Sequence, residues 1–201
     1  MGKFSFLNEF KISLKRTVDE KTFLLIIYFL SFALGIVLGM LAKPTDFILD
    51  YYSLSVENYY CVTLNPEASV WDIFFKRITT NLGYFIVFFP LGLSIFTMPF
   101  SIALIVFRGY VLSLSFIVFH SVCGFHGILI SIFLILPQHV VTTFTLIFSV
   151  TMPLCNGKKK DKNTLKKHLL NVLLLFVLSI FGDLIELVLL AFLFRPISFY
   201  F

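Results

Sequence analysis

Any chemistry in this chain must come from a few polar side chains set inside long apolar runs. Asp183 and Glu186 lie within the run Leu169 to Phe194. Three residues apart on a helix, their carboxyls share one face. Pro137, Gln138 and His139 lie near the middle of a second run, from His126 to Pro153. A carboxylate at membrane depth costs several kcal/mol unless it is paired or takes up a proton. Pro137 has no amide hydrogen, so a carbonyl one turn earlier loses its donor and the helix bends. Gln138 and His139 can donate hydrogen bonds, and both need partners in lipid. Asp183 stands 12 residues before Arg195, and His139 stands 12 after Gly127. At about 1.5 Å per residue the two reach similar depth. A cluster of Gln138, His139, Asp183 and Glu186 is therefore open. It suits either a proton or ion relay, or a ligand site, or a structural lock between two helices. The lock is the plainer reading, because polar side chains between membrane helices commonly bond one another.

Other chemistry finds no signature. There is no HExxH, no G-x-S-x-G elbow and no Gly-rich phosphate loop. His120 and His126 flank Cys123 without an evident fourth ligand, so no metal site is expected. Cys61, Cys123 and Cys155 are widely spaced and form neither a CxxC nor a disulfide framework. No cofactor and no enzymatic activity are expected.

The elements that position these residues are membrane helices. The 201 residues are 59% hydrophobic and only 13% charged, with a mean hydropathy of +0.97. A soluble domain carries about 25% charged residues. The expected fold is all-α: a polytopic bundle of about five transmembrane helices with an N-terminal amphipathic helix. The excess of Lys and Arg reads as a topology signal, and no basic–aromatic repeat points to nucleic acid. The partners implied are the lipid bilayer and, left open, a second copy of the chain in a homo-oligomer.

Residues 1–22 form a basic cytoplasmic segment. Leu7, Phe10, Leu14 and Val18 recur there at helical spacing among Lys11, Lys15 and Arg16. The segment reads as an amphipathic helix on the inner membrane face, or as a plain basic flank. Residues 23–201 form the five-span domain. The first span, Phe23 to Ala42, reads as a retained anchor, and its Gly35-x-x-x-Gly39 admits a second helix closely.

The loop 43–77 is acidic and extracytoplasmic. Its Tyr51, Tyr52, Tyr59, Tyr60 and Trp71 suit the membrane interface or a protein partner. Ser69-x-x-Asp72 resembles a capping box, so a helix from about Val70 runs on into the second span. Spans two and three admit two divisions. One ends the second span at Met98 and buries Arg108 in the third. The other carries a Pro-bent second span to Phe107 and leaves Arg108 at the inner surface. The second is preferred, because an Arg at a helix end reaches the headgroups. Gly124-Phe125-His126-Gly127 makes a tight turn. The loop 154–168 carries Lys158, Lys159 and Lys160 among six lysines and marks the inside. The N-terminus is then cytoplasmic and the C-terminus outside.

Several of these stretches together resemble a known family, stage II sporulation protein M of endospore formers. Those that carry the likeness are the basic flank and anchor, Asn81-Leu82, Arg108-Gly109, Gly124-Phe125-His126-Gly127, Leu136-Pro137-Gln138, and Glu186 before Pro196. Asp183 and His139 have no place in that pattern. The resemblance implies a five-span protein without enzymatic activity that acts during forespore engulfment. It would gather stage II sporulation proteins P and D, which remodel septal peptidoglycan, with the acidic loop as docking surface. The rival expectation is the membrane subunit of an exporter with a polar intramembrane site, which would need a separate ATPase.

Overall fold

The computed structural model describes residues 3–42, 70–154 and 162–189. The tyrosines at 51, 52, 59 and 60, the lysines at 158 to 160 and the C-terminal residues from 190 lie outside the described residues. Five α-helices and no strand are found among the described residues. They are α1 (Lys3–Leu41), α2 (Val70–Leu91), α3 (Met98–Ile130), α4 (Leu136–Leu154) and α5 (Lys162–Leu189).

Neighbouring helices in the chain alternate in direction. In α1 and α3, Tyr28 meets Ser101, with their hydroxyls 2.6 Å apart, and Gly39 meets Ser113, so these two run parallel. In α2 and α5 the contacts run in opposite order, from Arg77 with Glu186 to Phe89 with His168. The chain reverses inside the stretch Met98–Ile130, at Gly124, whose φ of 59° is ordinary only for glycine. Just beyond this turn, Gly127 lies against the backbone of Phe119 and His120.

The large side chains point outward as well as inward. Tyr28, Phe88, Ile105, Leu146, Ile147 and Leu175 fill the core. Phe23, Phe75, Phe100, Phe133 and Phe181 stand more than half exposed on the outside. Water would not tolerate so much apolar surface, and lipid does. Four stretches among the described residues are long and apolar enough to cross a bilayer: Phe10–Leu41, Met98–Ser121, Gly127–Met152 and Lys166–Leu189. The chain is a multi-pass membrane helix bundle. The expected count was about five. The difference is α2, which has span length but carries Lys76, Arg77, Thr79, Thr80 and Asn81.

Two expectations meet the structure differently, and a third, the helix from Val70, is met. The N-terminal segment is continuous with the first span through a kink at Lys21 (φ −126°, ψ 23°). Thr17 and Thr22 flank that kink and bond back to the carbonyls of Ser13 and Val18, a habit that bends helices. Phe10 and Leu14 pack on the core, and Asn171 of α5 reaches Ser13 at 3.5 Å. The segment therefore rests partly on the bundle itself. The C-terminal end of the acidic loop, from Val70, is helical and belongs to α2; Trp71 there is exposed and sits edge-on to Phe74.

The second difference is a correction. The second and third spans divide at Gly92 to Thr97 and not at Phe107, so Arg108 is not at the inner surface. Pro90 closes α2, and Pro99 enters the first turn of α3, where its missing amide hydrogen costs nothing. Between them the Thr97 hydroxyl donates to the carbonyls of Leu91 and Ser94, both at 2.6 Å.

Candidate functional site

The polar side chains of four helices converge in one buried cluster. Its centre is Asp183 of α5, 2% exposed. Asn81 of α2 donates from Nδ2 to both carboxylate oxygens at 2.9 Å. Gln138 of α4 donates from Nε2 to Oδ1 at 2.8 Å. One turn along α5, Glu186 accepts from Arg77 Nη2 at 3.3 Å. Arg77 is partly exposed toward the start of α2, while Glu186 is buried. The cluster therefore begins near one end of the bundle and runs inward.

Arg108 adds a further buried charge. It is buried in the middle of α3. Its Nε donates to Thr143 Oγ1 at 3.3 Å, and its guanidinium carbon lies 4.6 Å from the centre of the Tyr84 ring. Such stacking on an aromatic face favours a desolvated cation. Arg77 and Arg108 both act electrostatically on Asp183 and His139. The two arginines and two carboxylates sum to zero formal charge. Partners in the protein replace the solvation that lipid denies these charges.

Local backbone explains how α4 brings Gln138 to Asp183. Pro137 removes one amide donor. The five residues just before Leu136, Ser131 to Ile135, form a π-helical turn that absorbs the break. The Thr142 hydroxyl donates to the Gln138 carbonyl at 2.9 Å and ties down the following turn. On α5, Gly182 lets α4 come close: a side chain there would stand 3.2 Å from Val141.

Of the expected cluster, Gln138 and Asp183 are in direct contact. Glu186 belongs to the same site but bonds Arg77 instead of Gln138 or His139. His139 is buried beside them, and its Nδ1 has no hydrogen-bond partner among the described residues. Arg77, Tyr84 and Thr143 drew no attention as sequence. Asn81 entered only through the family resemblance. The available signal was a polar stripe: Arg77, Asn81 and Tyr84 recur at helical spacing along one side of α2. His120, flagged near Cys123, turns its Nδ1 to the Gly124 carbonyl at 3.2 Å. The side chains of Cys123 and His126 lie outside the described residues. No family model, no curated protein and no solved structure matches this chain.

Proposed function

We propose that this protein is a membrane scaffold without enzymatic activity. In this reading it gathers peptidoglycan-remodelling proteins at the septal membrane during forespore engulfment, with stage II sporulation proteins P and D as partners. One observation carries the scaffold part: the intramembrane carboxylates Asp183 and Glu186 are both bonded to side chains of neighbouring helices. Groups spent on joining α2, α4 and α5 serve rigidity. The sporulation part rests on the family resemblance. It gains coherence because Asn81, Arg108, Gln138 and Glu186, scattered in the sequence, share one cluster.

In this reading the N-terminus and the loop 154–168 are cytoplasmic, and the loop 43–77 and the C-terminus are outside. The N-terminal segment holds five Lys or Arg and the loop six, of 16 in the chain, which is the asymmetry that orients membrane proteins. The outer loop docks the partners through Tyr51, Tyr52, Tyr59 and Tyr60. Tyrosines give large contact area at small entropic cost.

The alternative, an exporter subunit with a polar intramembrane site, is favoured by one observation: Gln138 Oε1 and His139 Nδ1 are buried without partners among the described residues. Affinity purification from cells entering sporulation separates the two. Enrichment of wall hydrolases supports the scaffold, and enrichment of an ATPase supports export. Tyr59→Ala with Tyr60→Ala is expected to leave membrane insertion normal and to weaken hydrolase recovery. Loss of one hot-spot residue costs about 2 kcal/mol, roughly 30-fold in affinity.

A further inference from the structure

We propose that Asp183 is a reversible proton-binding site inside the bundle, and that the side-chain amide of Gln138 reads its state. The inference does not depend on the scaffold reading.

Three features of the site carry it. First, no cation bonds Asp183 directly among the described residues. Its donors are two neutral amides, Asn81 Nδ2 at 2.9 Å and Gln138 Nε2 at 2.8 Å. A buried carboxylate without a contacting cation is the kind of group that proton binding relieves. Second, the other end of the Gln138 amide, Oε1, is buried and has no partner among the described residues. A primary amide offers donors on one side and an acceptor on the other. The arrangement present suits the charged carboxylate, toward which Nε2 donates. When Asp183 takes one proton from water, the amide turns over, and the acid O–H donates to Oε1. The contact between α4 and α5 survives in both states, with the donor reversed.

Third, the helix segment that carries Gln138 holds further buried polar atoms. Ser131 Oγ and His139 Nδ1 are further buried atoms without partners among the described residues. Ser131 opens the π-helical turn and His139 follows Pro137, where the backbone ladder is already broken.

The charged and titratable groups around Asp183 come from every packed element. They are Arg77 of α2, Arg108 of α3 with Tyr84 beneath it, His139 of α4 and Glu186 of α5. From Thr22 to Leu41, α1 carries one titratable residue, Tyr28, which bonds Ser101. Proton binding at Asp183 removes the attraction its charge exerts on Arg77 and Arg108. The attraction holding α5 to α2 and α3 weakens accordingly.

Infrared spectroscopy of the full chain reconstituted in bilayers tests this. As the buffer is stepped from alkaline to acidic, a protonated-carboxyl stretching band is expected to grow. One component of it, distinct from those of the other Asp and Glu side chains, is expected to vanish in Asp183→Asn. In Gln138→Leu it should move to the higher frequency of an acid without an acceptor. If Asp183→Asn does not accumulate, Asp183→Glu, which keeps a carboxyl on a longer side chain, is expected to move that component, and an unmoved component overturns the site. A band left unchanged by Asp183→Asn overturns the site, as does the lack of any such component over the range where helix content is unchanged. A band at unaltered frequency in Gln138→Leu overturns the reader.

Discussion

Asp183 shows why a residue's partners matter more than its type. Replacing it by Leu removes the acceptor for Asn81 and Gln138 and leaves two amide donors unpaired in an apolar interior. Each lost partner costs about 1–3 kcal/mol, so Asp183→Leu is expected to lower thermal stability in detergent markedly. Asp183→Asn keeps an acceptor oxygen and should cost less. Glu186 allows a sharper contrast. Glu186→Gln still accepts a hydrogen bond from Arg77 and should accumulate nearly as well as the parent chain, whereas Glu186→Leu should accumulate poorly. Normal accumulation of Glu186→Gln with loss of biological activity would count against a purely structural role and in favour of a relay. Complementation alongside quantitative immunoblotting separates these outcomes.

At the scale of elements, the close pair is α1 with α3. A side chain at Gly35 would run into the Val106 carbonyl, and one at Gly109 into the Phe32 carbonyl. The Gly35-x-x-x-Gly39 motif is thus occupied within the chain, which removes it as a seam between two copies. Such contacts with backbone cannot be relieved by rotating a side chain. Gly35→Leu and Gly109→Leu are therefore expected to separate the helices and lower the melting temperature. Gly83 is the control, since nothing lies within 4 Å of a side chain placed there. Gly83→Ala should be neutral or stabilising by up to about 1 kcal/mol, from helix propensity alone. At the turn, Gly124→Ala forces a Cβ onto a backbone with φ 59° and ψ −135°, at a cost of about 1–3 kcal/mol. If all these variants melted together with the parent chain, the packing of α1 on α3 and the turn would be refuted.

For the whole molecule, orientation is the property to test. The five alternating helices place the starts of α1 and α5 at one end of the bundle and the start of α2 at the other. Among the described residues, Lys11, Lys15, Arg16, Lys166 and Lys167 lie toward the first end, and Lys76 and Arg77 toward the second. An impermeant thiol reagent applied to intact cells is expected to modify Cys61 and to spare Cys155. Preferential modification of Cys155 would invert the topology.

What the sequence determined by itself is the class of molecule and the residues with something to resolve. Long apolar runs require helices that satisfy their own backbone in lipid, and this follows from local composition alone. The turn at Gly124 and the need of Gln138, Asp183 and Glu186 for partners were legible for the same reason. Which partners they take was not. Asn81 lies 102 residues from Asp183, and Arg77 lies 109 from Glu186. Those pairings depend on the register of α2 against α5, which is set by how whole helix faces pack. Arg108 shows the limit most clearly. Judged alone, it belongs at a headgroup, because a lone cation deep in lipid is costly. Only the assembled bundle brings Thr143, Tyr84 and the charges of α5 around it. With that company the middle of the bundle becomes an acceptable place for an arginine, and the boundary between the second and third spans falls at Gly92 to Thr97.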